Sequence, residues 1–364
     1  MRVVLFAGGG TGGHLMPALA IADAMVALDP TIEPYFVGSF RGVEAQVLPA
    51  RPWRYALLPF EPIYRRQWWK NVRLPVSLYR SFAGIRRILK AERPVLAVGT
   101  GGYVSGPVLW AAMTRGVPGV LQEQNAFPGY ATRRLARRAR QIHLGFPEAE
   151  PLLEPGPTTR ILFSGNPITA PPDERFSPLA AKSALGFDPG RPLVLVVGGS
   201  QGALPVNQVV ARALTSGVWP GDVQLLWQTG SGTFDQFGHL STPGVQVAAF
   251  LDPIAEAYAA ADLVVGRAGA MTLAEVAAWG VPAILIPLPT SAAGHQLTNA
   301  RAIAAADAGI LVEQHHLSPE GLAQEVRVLL GDPARMARLR EGMIRRARPD
   351  AARFIAREAL QLLS

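Results

Sequence analysis

The chain of 364 residues contains no cysteine. Disulfide bonds, thiolate nucleophiles and cysteine-ligated zinc are therefore excluded, and the composition fits a reducing compartment. The sequence also lacks an Asp-x-Asp pair, which often holds a metal ion against a diphosphate, and no glycine run ends in the Gly-Lys-Ser/Thr of a P-loop. A diphosphate site in this chain would instead use helix N-termini and hydroxyl groups.

Long hydrophobic segments are missing as well. The apolar stretch near the N-terminus has about five residues, whereas the core of a signal peptide needs about 7–15. One segment, Val95–Thr114, has no charged residue and almost the length of a membrane span. Because four glycines and Pro107 interrupt it, we interpret it as a strand, a loop and a helix. We expect no transmembrane helix.

Acidic residues are outnumbered: 27 Asp and Glu face 35 Lys and Arg, which gives a net charge of +8. The excess is concentrated between Glu61 and Lys90, where basic residues are interleaved with aromatic ones, and a second basic run spans Arg133–Arg140. Such runs form a solvated helix face, or they bind nucleic acid or an anionic membrane. The interleaved Trp and Tyr side chains favour a membrane surface and argue against nucleic acid.

Apolar runs of strand length alternate with helical patterns along the chain, which is typical of parallel strands buried on both faces. The sequence therefore predicts an α/β protein with two doubly wound parallel-sheet domains. A Pro- and Gly-rich stretch at 154–172 separates them. We place the domains at residues 1–163 and 164–342, followed by a C-terminal helix at 343–364 that could pack back on the first domain. The predicted strands include Val3–Phe6, Tyr35–Val37, Leu96–Val98, Gly119–Gln122, Ile161–Phe163, Leu193–Val197, Leu225–Gln228, Leu263–Val265 and Ala283–Ile286.

Consecutive glycines follow the first apolar run. Gly8–Gly13 would leave backbone N–H groups bare at the tip of the next helix, where the helix dipole also favours an anion. His14 adds a side chain of the type used for proton transfer. A second glycine turn, Gly198–Gly202, follows another apolar run, so we expect two nucleotide-type folds facing a central cleft. The alternative is that these glycines serve only tight packing.

A dinucleotide is not expected at the first glycine run. Such a site needs an acid at the end of the second strand, and that strand ends in Val37-Gly38-Ser39. We predict no cofactor.

A third motif, Gly266–Glu275, follows another predicted strand. Thr272 could cap a helix there, and Glu275 would then lie in the first turn as a capping carboxylate. Alternatively, Glu275 grips two vicinal hydroxyls, such as those of a ribose. Polar residues at His295–Asn299 follow a loop beyond a strand, where open α/β sheets bind ligands.

Together these residues resemble the MurG family of bacterial transferases, which belongs to the two-domain, metal-independent GT-B class. The resemblance runs the length of the chain. Its motifs are Gly8–Pro17, Gly101–Pro107, Glu123–Asn125, Gly165–Pro167, Gly198–Ala203, Gly266–Glu275 and His295–Asn299.

The resemblance implies inverting transfer of N-acetylglucosamine from UDP-N-acetylglucosamine to the C4 hydroxyl of the muramyl sugar of lipid I, which gives lipid II. The first domain would bind the lipid acceptor and the anionic surface of the inner membrane, on its cytoplasmic face, and the second domain would bind the UDP-sugar. Three alternatives remain: another GT-B transferase with a different acceptor, a UDP-N-acetylglucosamine 2-epimerase, or a non-catalytic nucleotide-sugar-binding membrane module.

The resemblance also implies residue roles, with His14 as the general base and no metal site. The implied substrate contacts are Phe250 and the backbone of Leu251 for uracil; Glu275 for ribose; Ser200, Gln201, Gly202, Ala270, Met271 and Thr272 for phosphates; His295 and Gln296 for the sugar; and Asn125, Thr11, Gly12 and Gly13 from the first domain.

Two positions depart from the family pattern. Gln122 stands where the family usually has histidine, and Thr169 stands where it usually has an arginine associated with the donor site. Arg160, Arg175 or Arg267 could supply the missing cation.

Overall fold

The structure, a computed structural model, describes residues 1–61, 74–172, 177–199 and 202–363. The chain divides into two compact units. Unit 1 comprises Met1–Thr169 and Asp350–Ser364, and unit 2 comprises Ala170–Pro349. The division therefore lies a few residues after the predicted boundary at 163 and 164.

Unit 1 is built on a parallel sheet whose seven strands, within the described residues, follow the order β3-β2-β1-β4-β5-β6-β7. Its strands are β1 (Arg2–Gly8), β2 (Ile32–Ser39), β3 (Arg54–Leu58), β4 (Leu96–Gly101), β5 (Gly119–Glu123), β6 (Gln141–Leu144) and β7 (Arg160–Phe163). Its helices up to Thr169 are α1 (Gly12–Leu28), α2 (Glu44–Val47), α3 (Leu74–Glu92), α4 (Gly102–Met113) and α5 (Tyr130–Leu135).

Strand β1 shows why these strands have consecutive apolar residues and not an alternation of apolar and polar ones. Successive side chains of a strand point to opposite faces of the sheet. Val4 and Phe6 belong to an apolar cluster with α1, whereas Leu5 and Ala7 belong to a cluster with α4. Because helices cover both faces, the side chains from Val4 to Ala7 are all buried, and each large one contributes about 1.5–3 kcal/mol.

Unit 2 repeats this plan with a parallel sheet of six strands, within the described residues, in the order β10-β9-β8-β11-β12-β13. Its strands are β8 (Leu193–Val197), β9 (Gln224–Gln228), β10 (Val245–Ala248), β11 (Leu263–Gly266), β12 (Ala283–Leu285) and β13 (Ile310–Leu311). Its helices are α6 (Pro178–Ala184), α7 (Leu204–Thr215), α8 (Phe234–Phe237), α9 (Ala255–Ala260), α10 (Ala270–Trp279), α11 (His295–Ala305), α12 (Pro319–Leu330) and α13 (Pro333–Arg346). The prediction of two parallel-sheet α/β domains is confirmed.

The C-terminal segment is shared between the units. The residues from 343 to 346 finish α13, which belongs to unit 2. The last helix, α14 (Ala351–Leu360), packs its apolar face on α1 in unit 1. Polar contacts add to this packing, because the Gln141 side chain donates to the Glu358 carbonyl at 2.9 Å and Arg160 pairs with the Glu358 carboxylate at 3.2 Å.

Among the helices that the structure describes, none is long and apolar enough to cross a bilayer.

Candidate active site

The glycine run after β1 is held by a buried carboxylate. Glu44 is fully buried, and its two carboxylate oxygens accept the N–H of Gly10 at 2.9 Å and the N–H of Ser39 at 3.2 Å. The N–H groups of Gly9 and Gly10 are therefore not bare, because that of Gly9 also donates, to the Gly101 carbonyl at 3.4 Å. At Gly10 the acceptor is a carboxylate. The Gly10 N–H already has an anionic acceptor from the protein itself, since a carboxylate is a strong acceptor for backbone N–H groups.

The N-terminus of α1 keeps donors for a ligand. Thr11 precedes the helix, and no side chain caps it. Among the described residues, no acceptor engages the N–H groups of Gly12 and Gly13. The first turn of a helix presents such donors together with the positive end of its dipole, so this tip suits an anionic group.

His14 lies in this first turn and is half-buried. Its Nδ1 lies 3.0 Å from the carbonyl oxygen of Thr100 and 3.0 Å from the side-chain oxygen of Gln124. The Thr100 hydroxyl also donates to the carbonyl of His14 at 2.7 Å. Both the backbone and the ring of His14 are thus fixed to the end of β4.

Gly101 makes the close approach of this ring possible. Its φ is +97°, and a Cβ at this position would lie 2.8 Å from Nδ1 of His14. Any other residue would be strained in this conformation and would displace the ring.

Asn125 follows β5, at the same edge of the sheet as the glycine run. The Glu123 carboxylate accepts the Asn125 N–H at 3.1 Å, the Gly129 N–H at 2.8 Å and the Thr132 hydroxyl at 2.6 Å. One buried carboxylate therefore shapes the loop that presents Asn125 and leads into α5.

The second glycine turn, in unit 2, follows β8. Gly202 has a φ of +76°, and a Cβ there would lie 2.0 Å from the carbonyl oxygen of Thr229. Only glycine fits at such a distance, so the turn before α7 depends on this residue. Ser200 and Gln201, the other predicted phosphate contacts of this turn, lie outside the described residues.

Gln228 connects the glycine turn to the predicted uracil contacts. Its buried side chain donates to the Gly199 carbonyl at 3.2 Å and accepts the Leu251 N–H at 3.0 Å. This leaves the Leu251 carbonyl as the backbone group available to a base. The Phe250 ring beside it is 54% exposed.

Helix α10 carries the third predicted cluster. It begins at Ala270 after Gly269, and Met271 and Thr272 complete its first turn with no side-chain cap. The prediction that Thr272 caps the helix with Glu275 in the first turn is wrong, because the helix begins two residues before Thr272.

Glu275 has another partner. The Tyr258 hydroxyl, buried on α9, donates to its carboxylate at 3.1 Å. Burial raises the pKa of Glu275, and this hydrogen bond offsets part of the rise. Burial and the adjacent carboxyl raise the pKa of Tyr258 well above its usual value, so it stays a hydrogen-bond donor.

Helix α11 begins at His295, after Gly294 in the left-handed conformation. The side-chain oxygen of Gln296 accepts the Leu288 N–H at 2.9 Å, and this leaves its amide nitrogen as a donor for a ligand. Asn299, fully buried one turn later, donates to the Ala268 carbonyl at 3.2 Å and so fixes the start of α11 to the loop before α10.

The structure thus places the predicted residues at the carboxyl ends of strands in two sheets. Unit 1 brings Thr11, Gly12, Gly13, His14 and Asn125 to one edge of its sheet. In unit 2, the loops after β8 and β10 carry Gly202, Phe250 and Leu251, and helices α10 and α11, which follow β11 and β12, carry Ala270, Met271, Thr272, Glu275, His295 and Gln296. The carboxyl ends of parallel strands are where open α/β sheets bind ligands.

Comparison with known proteins identifies the family. The glycosyltransferase family 28 N-terminal domain matches residues 4–144, and the C-terminal domain of the same family matches residues 193–353. A transferase of Salinibacter ruber, named UDP-N-acetylglucosamine–N-acetylmuramyl-(pentapeptide) pyrophosphoryl-undecaprenol N-acetylglucosamine transferase, is 41% identical over 99% of this chain and 96% of its own. The protein of the same name from Chlorobium luteolum is 38% identical over 99% of this chain and 98% of its own.

The chain belongs to the MurG family of glycosyltransferases. The crystal structure of Acinetobacter baumannii MurG agrees, with a TM-score of 0.79 and 25% identity over 99% of this chain and 100% of that one. The predicted family, the GT-B class of fold and the assignment as a UDP-N-acetylglucosamine-dependent transferase are confirmed, and the alternative functions are not favoured.

The structure shows the contacts of Gln122 and of two arginines that were candidates to replace the one missing at Thr169. Gln122 is fully buried and donates to Asn166 at 2.9 Å. Of the arginines considered in place of the one missing at Thr169, Arg160 pairs with Glu358 in unit 1. Arg267 is buried and donates to the Ile286 carbonyl and to Gln314, and burial lowers its pKa. Arg175 lies outside the described residues.

Sequence reasoning missed the residues that hold the site in shape. Glu44, Thr100, Gln124, Gln228 and Tyr258 each contact a predicted site residue or its loop. Gln124 lies within the Glu123–Asn125 motif, which by itself indicates no such contact, and the other four residues lie outside all of the motifs. Among the described residues, no group of three or more His, Asp or Glu side chains is arranged to hold a metal ion.

Proposed function

We propose that this chain transfers N-acetylglucosamine from UDP-N-acetylglucosamine to the C4 hydroxyl of the muramyl sugar of lipid I, giving lipid II and UDP. One observation carries the proposal: His14 stands in the first turn of α1 with Nδ1 held by Thr100 and Gln124, in a chain whose full length matches transferases named for this reaction. Among the described residues, nothing occupies the other ring nitrogen, Nε2.

The reaction is a single displacement with inversion. The acceptor oxygen forms a bond to the anomeric carbon while the bond from that carbon to the phosphate oxygen breaks. Nε2 of His14 takes the hydroxyl proton, and UDP departs with the electron pair. A positioned base of this kind contributes about 10²–10⁴-fold to the rate.

Unit 2 is the proposed donor site. The vicinal hydroxyls of the ribose donate to the Glu275 carboxylate, and the exposed Phe250 ring covers the uracil. Backbone N–H groups at the start of α7, just after the glycine turn of Gly202, and at the first turn of α10 face the diphosphate. There they oppose the charge that develops on the leaving UDP, because helix tips stabilise anions. We predict that this site needs no metal ion.

Unit 1 is the proposed acceptor and membrane side. Helix α3 exposes apolar and aromatic side chains, with Tyr79 77% exposed, and Phe82 packs edge-on against Trp110 of α4 at 5.9 Å between ring centres. The exposed Arg80, Arg86, Arg87 and Lys90 lie on the same helix. Aromatic and basic groups together favour peripheral binding to an anionic membrane surface, here its cytoplasmic face. The remaining residues of this predicted patch, from 62 to 73, lie outside the described residues.

A radiolabel transfer assay tests the proposal. Wild-type protein should convert lipid I to lipid II with labelled UDP-N-acetylglucosamine, with and without a chelator. His14→Ala should lower kcat about 10²–10⁴-fold and leave donor affinity within a factor of about two. His239→Ala, which removes an exposed histidine of unit 2, is the matched control.

Each outcome separates one part of the proposal. Full activity in His14→Ala would show that another group is the base. Loss of transfer on chelation would overturn the metal-independent site. If the wild-type protein binds UDP-N-acetylglucosamine and transfers nothing to lipid I, the chain is a binding module.

A further inference from the structure

Three side-chain amides lie behind His14 and are hydrogen-bonded to one another. Gln122, Gln124 and Asn166 are each at most 3% exposed. Buried amides must satisfy both their N–H and their oxygen, so the direction of each one is set by its neighbours.

The order of donors and acceptors follows from a backbone carbonyl. The carbonyl of Gln124 can only accept, and it does so from Asn166 Nδ2 at 3.0 Å. Asn166 Oδ1 therefore faces Gln122 and accepts from its Nε2 at 2.9 Å. Gln122 Oε1 in turn accepts from Nε2 of Gln124.

Nε2 of Gln124 also donates to the backbone carbonyl of Thr100, at 2.7 Å. With its nitrogen engaged on these acceptors, Gln124 must turn Oε1 towards His14. Reversing the amide would place its oxygen against the carbonyl of Thr100 and the oxygen of Gln122, so the reversed arrangement is excluded.

Nδ1 of His14 consequently faces two acceptors, the Thr100 carbonyl and Gln124 Oε1, both at 3.0 Å. A ring nitrogen can sit between two acceptors only if it carries the hydrogen. In the neutral ring, the other nitrogen, Nε2, then carries the lone pair.

We propose that Gln124, oriented by Gln122 and Asn166, is a positioning residue that fixes His14 in its Nδ1–H tautomer and presents Nε2 as the proton acceptor. The proposal rests on the proposed function, in which His14 is the base. In serine-protease triads a carboxylate does this work. A neutral amide does it without adding a negative charge beside a substrate that carries a pyrophosphate.

The tautomer can be measured without substrate. In protein labelled with ¹⁵N-histidine, the wild type should show a protonated Nδ1 and an unprotonated Nε2 for His14, and His14→Gln assigns the signals by their loss. Gln124→Leu should move the population towards the Nε2–H form and lower kcat about tenfold, with the donor KM changed less than about twofold. We call the hydrogen-bonded set of Gln122, Gln124 and Asn166 the amide relay. Gln141→Leu removes a buried amide of the same sheet that lies outside this relay, so it is the control for lost packing.

A second variant changes Gln122, which is hydrogen-bonded to Gln124 and makes no bond to His14. Gln122→Met leaves Gln124 in place and should shift the tautomer in the same direction by a smaller amount, so the test survives if Gln124→Leu fails to fold. Wild-type tautomer and kcat in both variants, with His14→Ala inactive, would overturn the relay and leave the base intact. Full activity of His14→Ala would instead overturn the proposed function.

Discussion

The hydroxyl of Tyr258 donates to the carboxylate of Glu275 at 3.1 Å, from α9 to α10 within unit 2. The bond occupies one lone pair of Oε2 and leaves the remaining lone pairs of the carboxylate as acceptors, which the proposed donor site uses for the two ribose hydroxyls. It also keeps the partly buried carboxyl more acidic than burial alone would make it. Tyr258 is therefore expected to tune donor binding without contacting the donor.

Tyr258→Phe should raise the donor KM about fivefold, which corresponds to the roughly 1 kcal/mol of one hydrogen bond. In the proposed donor site the ribose hydroxyls donate to the ionised carboxylate, so donor affinity should fall as pH falls through the raised pKa of Glu275. Without the tyrosine hydroxyl this pKa rises further, and the loss of affinity should begin at a higher pH than in the wild type. Donor Kd measured by calorimetry between pH 5 and 8 checks both effects.

Tyr55→Phe serves as the control, because Tyr55 is an exposed tyrosine of unit 1. An unchanged pH profile in Tyr258→Phe would contradict the coupling between the two residues.

Gly202→Ala should disrupt the glycine turn after β8. The added methyl would lie 2.0 Å from the Thr229 carbonyl, and the turn must move to relieve the clash. We expect the donor KM to rise at least about tenfold, since 1.4 kcal/mol of lost binding already gives that factor. Steady-state kinetics on the soluble donor would measure it.

Gly217→Ala is matched to this substitution. Gly217 has a φ of +73°, close to the +76° of Gly202, and a Cβ there meets nothing within 4 Å. It should lose about 1–2 kcal/mol of stability from backbone strain and keep its donor KM. Equal KM values in the two variants would mean that the turn does not bind the donor.

His143 should make unit 1 acid-sensitive. It is fully buried on β6 with Nδ1 2.6 Å from the Ser164 hydroxyl, and burial lowers its pKa to about 3. The unfolded chain binds a proton near pH 6.5 and the folded chain does not, so stability is lost as pH falls from about 6.5 towards 3, with a slope approaching 1.4 kcal/mol per pH unit.

His143→Gln should be less stable than wild type at pH 7, and the gap should narrow as pH falls, because glutamine has no proton to bind. Urea unfolding at pH 7, 6 and 5 measures this, and His239→Gln controls for an exposed histidine. A constant gap across this range would contradict the assignment.

Much of the fold could be predicted because its strands are apolar on both faces. The four strands that the predicted segments do not contain lack that signal. β6 carries the buried polar residues Gln141 and His143, and β13 has two residues. β3 begins with the exposed Arg54 and Tyr55, and β10 (Val245–Ala248) is half-buried throughout and contains Gln246. Their assignment depends on neighbours in the sheet that the local sequence does not contain.

The candidate site likewise has features that the local sequence predicts and contacts that it does not. Glycine turns and helix tips are local, so the positions of Gly12, Gly13 and Gly202 follow from spacing. The contacts that orient them are distant in sequence, such as Thr100 and Gln124 on His14, about a hundred residues away. The helix start at Ala270, which excludes the capping role of Glu275, does not follow from the sequence, because neither Gly269 nor Thr272 gives an unambiguous cap signal.

The exposed face of α3 and α4 leads to the last prediction. Tyr79→Ser combined with Trp110→Ser removes two exposed aromatic rings, 77% and 46% exposed, from the proposed membrane side. Co-sedimentation with vesicles containing phosphatidylglycerol should fall several-fold, because about 25 cal/mol is lost for each Å² of apolar surface that no longer enters the interface. Binding of the wild type should also weaken as salt is raised.

The control is Phe40→Ser combined with Leu179→Ser, which removes two exposed apolar side chains of similar exposure, 60% and 59%, that lie outside α3 and α4. If loss of apolar surface alone governed binding, both double variants would detach equally. Selective loss in the Tyr79 and Trp110 variant, with transfer to a water-soluble lipid I analogue unchanged, would place membrane binding on this face and separate it from catalysis. The predicted basic and aromatic segment Glu61–Lys90 also contains Trp68 and Trp69, which lie outside the described residues, and their part in membrane binding stays a prediction.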